Sequence, residues 1–179
     1  MSADPGFGVG RLHLLLLVSV LGVVGAWLMA APAEMPAQFP MPAGKVYVNE
    51  CGSCHTAFAP GLLPARSWRR MMAELEDHFG EDASLDEPQY FAILKELETL
   101  ASDGSYADMR MRRISAALPE DAEPQRITGT SYFKKLHGQV SEAVWKRKKI
   151  QAPSNCVACH LQANKGRFAE LEIRVPPAP

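Results

Sequence analysis

The chain has four cysteines, and they fall in two like settings, Cys51-Gly52-Ser53-Cys54-His55 and Cys156-Val157-Ala158-Cys159-His160. In each, two thiols stand three positions apart and an imidazole follows the second. On a helix, positions i, i+3 and i+4 share one face, so all three groups point the same way. The thiols can then form thioethers with the vinyl groups of a porphyrin while the imidazole binds its iron from one side. C-x-x-C-H is the attachment signature of c-type haem. Both motifs are complete and together they use every cysteine. The spacing therefore predicts two covalent haems, held by Cys51, Cys54, Cys156 and Cys159, with His55 and His160 as proximal iron ligands.

Two other chemistries use paired cysteines. A structural zinc would take four thiolates in a tetrahedron, but zinc ribbons usually place their pairs closer together, and zinc needs no histidine directly after each second cysteine. A thioredoxin-like redox pair belongs beside a βαβ unit, which the surrounding sequence does not suggest.

A haem iron has a sixth position, so the remaining histidines matter. One, His13, lies in the leader; the other two are His78 and His137. Pro64 to Phe79 reads as the best helix of the chain, with Pro64 in its first turn and Gly80 as its stop. Trp68, Met71, Met72, Leu75 and Phe79 form an apolar stripe at helical spacing, and His78 falls on it. A histidine on an apolar face is usually a core residue, but a nearby iron changes that assignment, and His78 is a candidate distal ligand. Thr130 is a plausible N-cap for a short helix from Ser131 to His137 that Gly138 ends, which makes His137 the second candidate. Methionine is the other common sixth ligand. Met109 and Met111 lie in an expected helix from Tyr106 to Leu118, beside Arg110, Arg112 and Arg113, and look more like partial packing than ligands.

The remaining elements position these groups. Lys45 to His55 reads as a helix carrying the first motif. Asp86-Glu87-Pro88 opens another, with Phe91, Leu94, Leu97 and Leu100 recurring every third residue and a Ser102-Asp103-Gly104 turn closing it. Ser141 caps a helix from Glu142 to Lys146 that turns Trp145 towards the haem pocket, and Ser154 or Asn155 caps the helix of the second motif. The Pro-rich end from Val175 reads as frayed. The fold class is all-α: two small haem-centred helical domains of cytochrome c type, joined by a short linker, behind an N-terminal hydrophobic helix. Residues 1–33 are a signal peptide or signal anchor, 34–44 a Pro-rich linker, 45–118 the N-terminal haem domain, 119–126 an acidic linker and 127–179 the C-terminal haem domain. Small domains bury too little of their own surface for comfortable stability, so each haem is expected to be the centre of its core.

Leu12 to Ala31 is almost wholly apolar. Signal cores run about 7–15 residues and membrane spans about 20; the length leans towards a retained anchor, while Ala31-Pro32-Ala33 resembles a cleavage site. Either outcome places the rest of the chain outside the cytoplasm, where bacterial c-type haem is attached. Net charge is −1, yet the halves differ: Lys45 to Arg126 holds 9 basic and 15 acidic residues, and Ile127 onward 9 basic and 3 acidic. Two solvated surfaces explain this as well as a docking face for an acidic redox partner does. The basic residues do not interleave with aromatics, which excludes a nucleic-acid surface. The run Lys146-Arg147-Lys148-Lys149 is a solvated loop, a propionate partner or part of that docking face.

With these residues placed, the sequence resembles the dihaem cytochrome c family of bacterial periplasmic proteins. The matching stretches are Glu50 to His55, Leu63 to Gly80 (LPARSWRRMMAELEDHFG), Ile127 to Thr130 and Val144 to His160 (VWKRKKIQAPSNCVACH). The resemblance implies two haem domains, bis-histidine ligation by His55 and His160 with His78 and His137, and electron transfer without substrate chemistry. It also implies a membrane b-type cytochrome as donor and a small periplasmic haem protein as acceptor. The simplest pairing is His55 with His78 and His160 with His137; the alternative is an exchange in which a distal histidine reaches across to the other haem. Rival classes are a dihaem peroxidase or small-molecule reductase, and a gas-binding protein with one labile histidine, of which His137 is the more exchangeable. No convincing set of polar catalytic groups supports the enzyme.

Overall fold

Short helices, each started by a local signal, make up the architecture. The computed structural model describes residues 38–178; the leader, the apolar stretch 12–31 and the first part of the Pro-rich linker lie outside them. Among the described residues there are six α-helices, several 3-10 turns and no strand, only isolated bridges. None of these helices is long and apolar enough to cross a membrane.

Helix α1 (Lys45–Cys51) ends at the first haem cysteine. Its Tyr47 is buried and donates to the Phe58 carbonyl at 2.6 Å, tying the helix to the segment after the motif. Burial first, then the nearby Cys51, pushes this phenol well above its usual range, so it stays a neutral donor. Helix α2 (Ala65–Ala73) follows Pro64, and a 3-10 turn (Leu75–Asp77) carries the chain on to His78. Helix α3 (Glu87–Leu100) begins where Asp86 accepts from the Gln89 N–H at 2.9 Å. Helix α4 (Met109–Ala116) begins in the same way at Asp108, which accepts from Met111 N–H. Helix α5 (Ser131–His137) starts at Thr130, whose hydroxyl accepts from Phe133 N–H at 3.2 Å, as its sequence predicts. Helix α6 (Glu142–Trp145) is one turn long and follows Ser141, whose side chain makes no capping bond.

Several expected boundaries move. The helix expected to reach Phe79 stops at Ala73, because Glu74 leaves helical geometry at φ −118°, ψ 25°. Its carboxylate is held there by Arg70 and Gln125. Phe79 consequently leaves the stripe and is exposed. On α3 the buried face is Ile93 and Leu97, and Phe91 is exposed. Residues three apart drift around a helix, so Phe91, Leu94, Leu97 and Leu100 cannot all face one core. The first motif is not helical throughout, since only Cys51 lies in α1 and Cys54 and His55 lie in the turn beyond it. The second occupies a 3-10 turn (Cys156–Ala158). Asn155 makes no cap; its amide donates instead to the Ile150 carbonyl at 3.0 Å. The C-terminal stretch is tied back by Arg147, which donates to the Pro176 carbonyl.

Two apolar clusters form the protein's own core. Tyr47, Leu63, Trp68, Met72, Ile93 and Leu97 centre the first; Phe39, Ala59, Leu62, Met111 and Ile114 make the second. Both are built from residues before 119, and Ile127, Tyr132 and Phe168 of the second half only pack against them. Beyond residue 126 the fully covered apolar side chains are Ile150 and Ala163. The described chain is one compact unit, closed by Phe39 N–H donating to the Gly166 carbonyl at 2.7 Å. Gly166 has φ +72°, and a Cβ there would lie 2.0 Å from the Phe39 carbonyl oxygen, so only glycine fits.

Candidate haem sites

The first site is assembled from the end of α1, the turn after it and the turn at His78. Burial first, then Glu50, raises the Cys51 thiol to about 11. Burial is likewise the leading cause raising Cys156 and Cys159. A disulfide-exchange pair needs the opposite, a thiol pushed down to a reactive thiolate. His55 Nδ1–H donates to the Thr56 carbonyl at 2.8 Å, which fixes the tautomer and leaves Nε2 free for a metal. Its ring stacks on Phe58 at 5.2 Å.

His78 faces it. The two ring centres are 6.1 Å apart with their planes 26° from parallel. A tight turn holds His78 in place: His78 N–H donates to the Glu81 carbonyl at 2.8 Å, and Asp77 Oδ1 accepts from Gly80 N–H at 2.9 Å. The turn passes through left-handed backbone at Phe79 (φ +59°) and Gly80 (φ +98°). Glycine adopts this readily, whereas phenylalanine there is strained. Burial first, then the neighbouring His55 and Arg126, lowers the basicity of His78, which keeps the imidazole neutral with its lone pair available.

The second site draws on α5, α6 and the 3-10 turn of the second motif. His160 N–H donates to the Cys156 carbonyl at 2.8 Å, closing the motif on itself, and Arg174 N–H donates to the Cys159 carbonyl at 2.9 Å. His137 lies one helical turn after Phe133, donates from Nδ1 to the Phe133 carbonyl at 3.0 Å and stacks on the Phe133 ring at 4.0 Å. The Trp145 ring centre lies 6.0 Å from that of His137, with the planes at 45°. His137 and His160 are again 6.1 Å apart, but their planes cross at 76°. Burial first, then His137, holds His160 neutral.

An iron between two imidazoles sets their ring centres about 6 Å apart, from two metal–nitrogen bonds of about 2.0 Å and two ring radii of about 1.1 Å. Both pairs meet that span. The buried Nδ1 of His160 finds no protein partner, so this ring lacks the tether that His55 and His137 have. No group of three or more His, Cys, Asp or Glu side chains converges among the described residues, as a structural zinc would require. The two candidate methionines are placed elsewhere. Met111 is buried in the second apolar cluster, while Met109 is exposed with its sulfur 3.8 Å from Arg113.

The fold and the two motif–histidine pairs define a c-type cytochrome with two attachment sites. The profile of the dihaem cytochrome c family matches residues 47–168, and the chain belongs to that family. It is similar to the dihaem cytochrome c from Rhodobacter sphaeroides, at 39% identity over 74% of this chain and 100% of that one, with a TM-score of 0.63. It is also similar to the dihaem cytochrome c from Shewanella baltica OS155, at 33% identity over 77% of this chain and 97% of that one, with a TM-score of 0.61. No curated protein matches it. Two covalently bound c-type haems are therefore its cofactors, and its role is haem-based electron transfer.

Sequence reasoning singled out all four histidines but missed three of their aromatic neighbours, Phe58, Phe133 and Phe168. Phe133 was legible from its i, i+4 spacing to His137. Phe168 lies 5.2 Å from His160 and 5.6 Å from Phe39, and nothing local marks that contact. Phe79 was assigned to the wrong face.

Proposed function

We infer that the chain is a periplasmic electron carrier in which His55 and His78 bind one haem iron and His160 and His137 the other. The observation that carries this is the pair of 6.1 Å ring separations, each joining a motif histidine to a histidine far along the chain. The haem supplies a one-electron couple at iron; the residues set its axial ligands, cover and reach. Two imidazoles close both faces of the iron, leaving no open position for a substrate, and histidine in place of methionine keeps the potential low. The hydrogen bonds at His55 and His137 strengthen those rings as donors.

Low-temperature electron paramagnetic resonance of the oxidised protein, with near-infrared magnetic circular dichroism, tests the ligation. Near-parallel imidazole planes donate into the same iron d orbital and give a rhombic low-spin signal. Crossed planes feed both orbitals alike and give a strongly anisotropic one. One signal of each kind is expected, both with bis-histidine charge-transfer bands; a methionine–histidine band or a high-spin haem would overturn the assignment. His78→Ala and His137→Ala should each make one haem, and a different one, reactive to carbon monoxide.

For partners, we favour a membrane b-type cytochrome as donor and a small periplasmic haem protein as acceptor. The acidic and basic halves support separate docking faces. Lys134, Lys135, Lys148 and Lys149 are exposed on the second half, and Lys146 makes only an exposed pair with Glu142. If the second half docks an acidic acceptor, reduction of that acceptor slows steeply as salt rises; a rate indifferent to salt sinks that part. The apolar leader supports export to the periplasm, and N-terminal sequencing of purified protein would show whether it is cleaved.

A further inference from the structure

The acidic segment 119–126 does not hang free between the halves. Arg66 donates to the Pro119 carbonyl at 3.1 Å and to the Ala122 carbonyl at 2.6 Å. Arg70 reaches Glu123 at 3.9 Å, and Gln125 donates to the Glu74 carboxylate at 2.5 Å. Residues 66, 70 and 74 are one turn apart, so a single face of α2 and its end receives the segment in register. The Gln125 hydrogen bond, and after it the Arg70 hydrogen bond and charge, hold the Glu74 carboxyl below its usual range. The next contact along this line is at the turn of His78, where the Arg126 guanidinium lies 4.0 Å from the centre of the Phe79 ring. The centre of that ring lies 4.8 Å from that of His78, with the planes 61° apart.

We propose that residues 119–126 are a strap and that Arg126, stacked on Phe79, is a positioning residue for the distal ligand of the first haem. Phe79 stands in left-handed backbone that its side chain does not favour, and it is 46% exposed, so burial does not hold it there. The flat guanidinium covers the ring from the strap side, as arginine does on aromatic faces. Released, the turn can relax to ordinary backbone and swing His78 away from His55. One residue after Arg126 the chain enters the Ile127–Gly129 turn and then α5, which ends at His137. The same short segment thus leads from one distal histidine to the element bearing the other.

The inference rests on His78 being a ligand, and the test separates the two. Carbon monoxide binding to the reduced full-length holoprotein is timed by stopped flow, with the oxidised spectra described above as reference. If wild type lacks a bis-histidine first haem, the ligand assignment fails, and this inference with it. If wild type has one, Arg126→Leu should speed binding at one haem about five-fold, the scale of one cation–π contact. Arg126→Lys, which keeps the charge but loses the flat stack, should fall between. Adding Arg126→Leu to His78→Ala should change nothing further, because both act on the same haem. An increase below about two-fold, or one that persists on top of His78→Ala, overturns the proposal. Should Arg126→Leu fail to accumulate, Phe79→Leu and Arg126→Lys are read by the same criteria, and Phe79→Trp should retain the wild-type rate.

Discussion

The two halves of this cytochrome are stabilised in different ways. Residues 39–118 surround two apolar clusters with α2, α3 and α4, and Leu63, Ile93, Leu97 and Ile114 are almost fully buried. Residues 127–178 have no comparable cluster; their few covered side chains are Ile150, Ala163 and Thr130. The first half thus has a core built from its own side chains. A short chain segment without enough apolar surface needs another source of stability, and in the second half the covalent haem is what remains to supply it. The candidate axial histidines differ in the same spirit. In the first site His55 is tied by its ring hydrogen bond and His78 is held only through its backbone turn; in the second His137 is tied and His160 is not.

The largest effect should come from removing one haem at a time. In the double variant Cys156→Ala/Cys159→Ala, amide protection across residues 127–178 should fall to that of an unfolded peptide, while α2 to α4 stay protected. In Cys51→Ala/Cys54→Ala, helices α3 and α4 should keep measurable protection, because their buried faces pack on protein. Hydrogen exchange on the full chain reads both, and equal losses in the two halves would end the distinction. A smaller effect is expected where the halves are clipped together. Gly166→Ala places a side chain on the Phe39 carbonyl and in left-handed backbone, so it should cost at least about 2 kcal/mol in thermal or denaturant unfolding. A cost within the range of surface substitutions would show that this clip contributes little. Smallest is the loss of one cap. Thr130→Ala and Asp86→Ala each remove an N-cap hydrogen bond and should each cost about 1 kcal/mol. Only Thr130→Ala should also loosen a ligand, raising carbon monoxide reactivity at the second haem, since α5 ends at His137. Equal effects of the two on the haems would blur the comparison.

How much of this was legible beforehand can be traced residue by residue. The haem motifs depend on reactive groups at fixed spacing, and Thr130 and Asp86 act within one turn of themselves, so a linear reading finds them. The two spare histidines were found by counting, because few side chains can take an iron's sixth position. The extent of α2 was misread because Glu74 leaves helical geometry where its carboxylate meets Gln125, which lies 51 positions away. Phe79 was misplaced because the helix stops before it and the chain turns through left-handed backbone at Phe79 and Gly80.

By itself, then, the sequence determined what is covalent or local: two haem attachment points, four candidate axial histidines, the helix starts at Lys45, Glu87, Ser131 and Glu142, though not the one expected at Tyr106, which lies at Met109, and the opposite charges of the halves. Only the tertiary structure decided which histidine rings face one another, the 26° and 76° angles between their planes, the course of residues 119–126 and the meeting of Gly166 with Phe39. Attachment chemistry needs neighbours in sequence, whereas ring angles and clamps arise from groups brought together by packing, at separations that no periodicity records.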